Sequence, residues 1–283
     1  MPATITLIML GIGLELKFRD FIRVFTKPKA ILIGLGCQLF LLPGIALALI
    51  YYWPMENIYK VGVMLLAACP GGTASNLVTK MLGGRIALSV SLTAFNSFLI
   101  LFTIPVIVEL SYFLFSNGTQ SLDLGFWETA REILLTVLLP VLIGIIIGGF
   151  LTDSQQQKLH KPLRILLPLL LLVAVFAVIS LDDSEQNIHY LKYVPLLLPL
   201  FLLNILTMIA GFITAKSLQL RHRSAYTIAI EMGLQNSVLA LYIGNQLLQN
   251  QNISLMAILY GSFSLLTTFG LAYILKRFQF YEK

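Results

Sequence analysis

A chain of 283 residues with 58% hydrophobic and only 11% charged side chains falls well below the charged share of about 25% usual in soluble domains. So few charges cannot supply the polar skin that a water-soluble fold of this size needs, and a bilayer must cover the rest. The net charge of +6 does not point to nucleic acid, because the basic residues sit between apolar runs and are not gathered on one soluble face.

At about 20 residues per crossing, the length has room for nine or ten crossings with short connections, so residues 1–283 read as one membrane domain. Apolar windows bounded by charged or turn residues predict spans at about 2–16, 30–52, 60–82, 86–112, 128–151, 163–181, 190–215, 224–247 and 253–275. The first has no basic residue before its apolar stretch and reads as a retained membrane segment, not a cleaved signal. Its roughly 15 residues reach only about 22 Å of a hydrocarbon core near 30 Å. Either it thins the bilayer locally or further residues precede it. The remaining spans are separated by Lys27-Pro28-Lys29, Trp53-Pro54, Gly83-Gly84-Arg85, Ser116-Asn117-Gly118, Lys161-Pro162 and Arg221-His222-Arg223.

With nine spans, sixteen of the nineteen basic residues fall on one side of the membrane and only Lys60, Arg131 and Lys192 on the other. Cytoplasmic loops collect Lys and Arg, so the N-terminus is expected outside and the C-terminus in the cytoplasm. The expected location is the plasma membrane, or the inner membrane of a bacterium.

Two spans differ from the others. The third carries Cys69-Pro70-Gly71-Gly72-Thr73-Ala74-Ser75-Asn76 at its middle, where proline removes a backbone donor and paired glycines weaken the helix. The eighth carries Glu231-Met232-Gly233-Leu234-Gln235-Asn236-Ser237, with the one acidic residue placed near the membrane centre. An ionised group there costs at least about 2.5–3.5 kcal/mol and usually marks an ion or substrate route. Each interrupted span is followed by one more crossing before its half of the chain ends, which is the pattern of a transporter built from inverted repeats. Breaks near the midplane would expose helix N-termini and loose carbonyls, a setting for an anion together with cations. The oxygen ligands available to sodium are the Glu231 carboxylate, the amides of Asn76, Gln235 and Gln38, the hydroxyls of Ser75, Ser89 and Thr93, and nearby carbonyls.

These residues, together with Gly11-Ile12-Gly13-Leu14-Glu15-Leu16-Lys17, Asp20-Phe21, Pro28-Lys29-Ala30, Pro43 and Ala87-Leu88-Ser89-Val90-Ser91-Leu92-Thr93, give the chain its likeness to a known family. It resembles the bile acid:sodium symporter family, in its nine-span form, through nearly its whole length. The resemblance implies an all-α polytopic fold with two crossed broken helices. It also implies a core of spans at about 30–112 and 190–275, and a panel of spans at about 2–16 and 128–181. It implies two transported sodium ions, one at Ser75, Asn76, Ser89, Thr93 and Glu231, the other at Gln38, Glu231, Gln235 and the backbone carbonyls of Met232 and Leu234. An organic anion, bile acid-like or a smaller carboxylate or sulfonate, would lie between core and panel near Thr73 and Asn236, and sodium would drive its import by alternating access.

A proton-coupled or sodium-independent carrier on the same fold, and a membrane receptor that transports nothing, stand as alternatives. An arsenite carrier using Cys69 is disfavoured by the Pro-Gly-Gly-Thr run. No pair of acids and no Ser/His couple lies at one depth, so an enzyme is not expected. Cys37 and Cys69 read as small core residues, and Gly144-x-x-x-Gly148 as a close-packing face. Asp182-Asp183-Ser184-Glu185 reads as a solvated loop. His189 lies beside it, and His160 and His222 are placed on inner loops, which leaves no buried histidine. Asn117-Gly118-Thr119 is a glycosylation sequon only in a eukaryotic host. The oligomeric state has no signature in the sequence.

Overall fold

The computed structural model describes residues 28–115, 126–151 and 193–277, with Thr6, Met9, Leu10, Gly11, Gly13 and Leu14 of the first span. The expected sixth span, the acidic loop, the sequon, His160, His189 and the Glu15 to Asp20 part of the motif lie outside the described residues. Among the described residues the chain is helical, and the extended backbone is limited to short connections and one isolated bridge.

Helix α1 runs Pro28–Tyr51 and contains a π-turn at Cys37–Leu41, where the Leu42 N–H reaches back to the Cys37 carbonyl. Pro43 follows directly and offers no N–H to the turn before it, so the widened turn relieves the mismatch. The same device recurs in α5, which runs from Phe126–Ile133 through a π-turn at Leu134–Leu138 into Leu139–Phe150, with Pro140 in the same relative place. Between them stand α2 (Asn57–Ala68), α3 (Thr73–Met81) and α4 (Ile86–Phe115). After the undescribed stretch come α6 (Val194–Ser217), α7 (His222–Gly233), α8 (Ser237–Tyr242, continued by a π-turn at Ile243–Leu247) and α9 (Gln251–Arg277).

Five of these stretches, in α1, α4, α5, α6 and α9, are each long and apolar enough to cross a membrane. The pairs α2/α3 and α7/α8 cross as two halves. The outward faces of α1, α4, α5 and α9 carry Phe40, Phe102, Phe113, Ile146, Phe150 and Leu266 exposed, as a lipid-facing surface requires. Tyr51, Tyr52 and Trp127 are exposed near helix ends, where aromatic rings favour the interface.

For the seven expected spans that fall within the described residues, the boundaries agree with the helices to within a few residues. Lys60 is a difference: α2 begins at Asn57, which places Lys60 in the first turn, buried, with its ammonium donating to the Tyr51 carbonyl (3.0 Å) and lying 5.4 Å from the Phe115 ring centre. Cys37 and Cys69 are buried and free of any disulfide. The Gly144-x-x-x-Gly148 face packs as expected. A Cβ on Gly144 would stand 2.8 Å from the Leu14 nitrogen, and one on Gly148 3.2 Å from the Leu14 carbonyl, so both glycines let α5 approach the first span closely.

Candidate functional site

The two interrupted helices meet at their breaks. Proline and two glycines stop α2 after Ala68, Cys69 is extended, and α3 restarts at Thr73 with Gly72 as its N-cap. In the second pair α7 ends at Gly233, Leu234 is extended, and Asn236 caps α8 by accepting the Leu239 N–H on its Oδ1 (3.1 Å). The segments lie antiparallel, with Gly71 bridged to Gln235 and the Asn236 N–H donating to the Pro70 carbonyl (2.8 Å). Each break thus gives the other some of the backbone partners that the helix interruption removed, which is what a membrane interior demands.

Glu231 lies one turn before the second break and is fully buried, at 0% exposure. The Ser89 hydroxyl donates to its Oε2 at 2.9 Å and the Thr93 hydroxyl to its Oε1 at 2.5 Å. These two residues are four apart on α4, so one helix face delivers both hydroxyls. Ser75, on the first turn of α3, donates to the Gly72 carbonyl (2.8 Å) and stands within reach of the same carboxylate. Asn76 follows it, and its Oδ1 is buried without a hydrogen-bond partner. Gly71 is needed here for space, because a Cβ at that position would strike the Glu231 carboxylate.

A second group lies on the other side of the Glu231 backbone. Gln38 sits in the π-turn of α1 and brings its Nε2 to 3.5 Å from the Glu231 carbonyl, while its Oε1 accepts from Asn96 Nδ2 at 3.2 Å. Gln235 donates from Nε2 to the Met232 carbonyl (2.8 Å), and its Oε1 is buried and unpartnered. Thr207 also donates to the Met232 carbonyl, at 3.1 Å. Leu234 lies in the extended break, between Gly233 and Gln235.

Of the two remaining expected site residues, Asn236 borders a narrow crevice. Asn236, Pro70, Gly71, Gly72 and Thr93 line one side of it, and Met9 of the first span and Val141 of α5 line the other. Thr73 is the first residue of α3, adjacent to that lining. All eleven expected site residues thus cluster at the two breaks or on the helix faces packed against them.

Several residues were not anticipated. Gly233 loses a helical partner at the break, and its carbonyl accepts from Asn204 Nδ2 (2.7 Å), Tyr260 (2.8 Å) and Thr268 (3.1 Å), while Thr267 donates to Asn204 Oδ1 (2.9 Å). Asn96, which fixes Gln38, also has a buried oxygen without a partner. The signal available in the sequence was the spacing of Tyr260, Ser264 and Thr268 at i, i+4 and i+8, a polar stripe down one face of an otherwise apolar span. Asn204→Leu removes the central donor of this group and is expected to destabilise the protein by about 1–3 kcal/mol. A thermal melt of the purified variant checks this, and an unchanged midpoint would show that Tyr260 and Thr268 suffice.

The geometry is a buried carboxylate amid neutral oxygens, at the junction of two broken helices. The family model for sodium bile acid symporters matches residues 2–187. The chain belongs to the sodium bile acid symporter family. It is 32% identical over 232 residues to the uncharacterized sodium-dependent transporter YocS of Bacillus subtilis, covering 82% of this chain and 69% of the relative. Over 232 residues it is 28% identical to the hepatic sodium/bile acid cotransporter of Rattus norvegicus, covering 81% of this chain and 62% of that one. It is also 28% identical, over 244 residues, to the probable chloroplastic sodium/metabolite cotransporter BASS1 of Arabidopsis thaliana, with 86% of this chain and 58% of that one aligned. The chain therefore spans less than two thirds of the rat and plant relatives. Family and relatives are transporters and not enzymes, as expected from the lack of a catalytic pair.

Proposed function

We propose that this member of the family is a symporter that couples inward movement of two sodium ions to import of an organic anion. The observation that carries the reading is the surplus of buried acceptor oxygen around Glu231. Asn76 Oδ1, Asn96 Oδ1 and Gln235 Oε1 accept no hydrogen bond, and buried polar atoms without partners are rare enough to need a reason. Hard cations are held by such oxygens.

In this reading one ion is held by Ser75, Asn76, Ser89, Thr93 and Glu231. The other is held by Gln38, Glu231, Gln235 and the carbonyls of Met232 and Leu234. The hydroxyls of Ser89 and Thr93 turn their hydrogens away from Glu231 when an ion arrives, and their lone pairs then face it. Gln38 and Gln235 each direct an NH₂ at a carbonyl of this region, so ligation requires each amide to turn over and present its oxygen. Glu231, shared by both ions, offsets part of their combined charge. The organic anion, a bile acid-like molecule or a smaller carboxylate or sulfonate, binds in the crevice beside Thr73 and Asn236, where the positive end of α3 favours negative charge. The crevice lies between a core built on α1–α4 and α6–α9 and a panel that includes the first span and α5. Movement of one against the other exposes the site alternately to the two sides. The membrane is the plasma membrane, or the inner membrane of a bacterium, with the N-terminus outside.

Because ion and anion occupy coupled sites, each stabilises the protein most in the presence of the other. A thermal-shift screen of organic anions, run with and without sodium, is expected to find anions that raise the melting midpoint only when sodium is present. Stabilisation that ignores sodium and follows pH instead would replace this reading with a proton-coupled carrier.

A further inference from the structure

The site at the breaks leaves unused a second cavity, a space of about 960 Å³ bordered by described residues. Its lining includes Lys29, Arg85, Lys216, Arg221 and Arg223, and no acidic side chain among the described residues. It also lies where three helices begin: α1 at Pro28, α4 at Ile86 and α7 at His222, none with an acid in its first turn. The N-terminal end of a helix carries partial positive charge and is stabilised by acids. Basic side chains placed against three such ends repel them. The tendency of cytoplasmic ends to collect Lys and Arg accounts for the sign of these residues, but not for their convergence on one concave space.

The local structure holds this arrangement in place. Arg85 donates from Nη1 to the Ser224 hydroxyl (2.8 Å) and from its backbone N–H to Thr227 Oγ1 (2.9 Å), which ties the start of α4 to the first two turns of α7. Gln219 adopts a left-handed conformation (φ 59°), which lets Leu220 donate back to the Ala215 carbonyl (3.0 Å) and turns the chain sharply from α6 into α7. His222, expected on an exposed loop, is instead the first residue of α7 and only 9% exposed. Its ring packs edge-on against Phe212 and Tyr226, and its Nε2 has no hydrogen-bond partner. A buried histidine with an unpartnered nitrogen is thus among the residues that line a cavity rich in positive charge.

We infer that this cavity binds a phosphate-bearing anion, independently of the sodium and organic-anion sites at the breaks. A phosphate group supplies the negative charge that the helix ends and the arginines lack, and arginine matches its geometry with paired N–H donors. Two sources have this chemistry, the headgroup of an anionic phospholipid in the adjacent leaflet and a free phosphate in solution; basic pockets between membrane helices commonly take such headgroups.

The test uses the full chain in a neutral detergent and sodium-free buffer, titrated calorimetrically with short-chain phosphatidylglycerol, short-chain phosphatidylcholine and inorganic phosphate. Phosphatidylglycerol or phosphate is expected to bind measurably above phosphatidylcholine. Binding of the lipid alone identifies the headgroup as the source, and binding of phosphate as well identifies the free anion. The triple variant Lys29→Gln, Arg221→Gln, Arg223→Gln is expected to bind on the order of 100-fold more weakly, about fivefold for each charge removed. The control Lys276→Gln, Arg277→Gln, at the end of α9 and outside this lining, is expected to bind within about twofold of the parent. If the triple variant does not fold, Lys29→Gln alone, at an exposed position, carries the test with a fivefold loss. The inference is overturned if neither phosphatidylglycerol nor phosphate binds above phosphatidylcholine, if the cavity variants bind like the parent, or if the control loses as much as they do.

Discussion

Glu231→Ala and Gln38→Ala are each expected to abolish sodium-stimulated uptake while leaving a folded protein in the membrane. The two losses have different origins. A carboxylate about 2.5 Å from a cation, at an effective dielectric near 20, contributes several kcal/mol per ion. Glu231 is proposed to serve two ions, so its removal weakens both sites by more than about 100-fold. It also removes the acceptor of the Ser89 and Thr93 hydroxyls, which then have to find other partners in a dry interior. Gln38 is uncharged and belongs to only one proposed site, but it is held in a π-turn and steadied by Asn96, so its loss removes a pre-positioned amide from that site. Uptake is measured in proteoliposomes with an imposed sodium gradient, using an anion identified by the thermal-shift screen. Sodium stimulation that persists in both variants would remove these residues from the coupling site.

Gly71→Ala is expected to be nearly as damaging, and Gly72→Ala to be mild. The two glycines are adjacent, so composition and helix propensity do not separate them. A Cβ on Gly71 would overlap the Glu231 carboxylate and lie 3.2 Å from Ser75 Oγ, whereas a Cβ on Gly72 would meet nothing nearer than the Asn236 Cα and Cγ at 3.9 Å. Neither residue has a positive φ, so the penalty at Gly71 is steric and falls directly on the proposed cation ligands. The alanine has to displace Glu231 from Ser89 and Thr93 or push the two breaks apart. The expected result for Gly71→Ala is a loss of at least about tenfold in sodium-dependent uptake, equivalent to the 1–3 kcal/mol typical of overpacking. Gly72→Ala is expected to stay within about threefold of the parent, a difference below 1 kcal/mol. Equal losses at both positions would mean that backbone flexibility, and not room beside Glu231, is what the glycine pair provides.

Much of this site was legible before any coordinates. Pro70 with Gly71 and Gly72 announces an interrupted helix because the missing donor and the weak helix formers act locally. Glu231 stands out because a buried charge is costly wherever the fold puts it. The likeness to the symporter family named every proposed ligand. The lone polar residues of apolar helices were harder to interpret: Asn204 and Thr268 look like ordinary small interruptions until they are seen to converge on the Gly233 carbonyl. His222 was misplaced for a similar reason. Two flanking arginines make the sequence look like a solvated loop, but the sharp turn at Gln219 packs the imidazole against Phe212 and Tyr226.

The amino-acid sequence by itself determined that the chain crosses a bilayer many times, where most of its spans begin and end, and that two of them are broken. Hydropathy, proline and glycine act over a few residues, so these properties hold whatever the helices pack against. Only the tertiary structure decided which oxygens surround the carboxylate. Ser89 is 142 residues from Glu231 and Gln38 is 193 residues away, and contacts over such distances depend on the packing of whole helices. That same packing leaves the acceptor oxygens of Asn76 and Gln235 buried without partners, and gathers basic residues from three separate connections around one cavity.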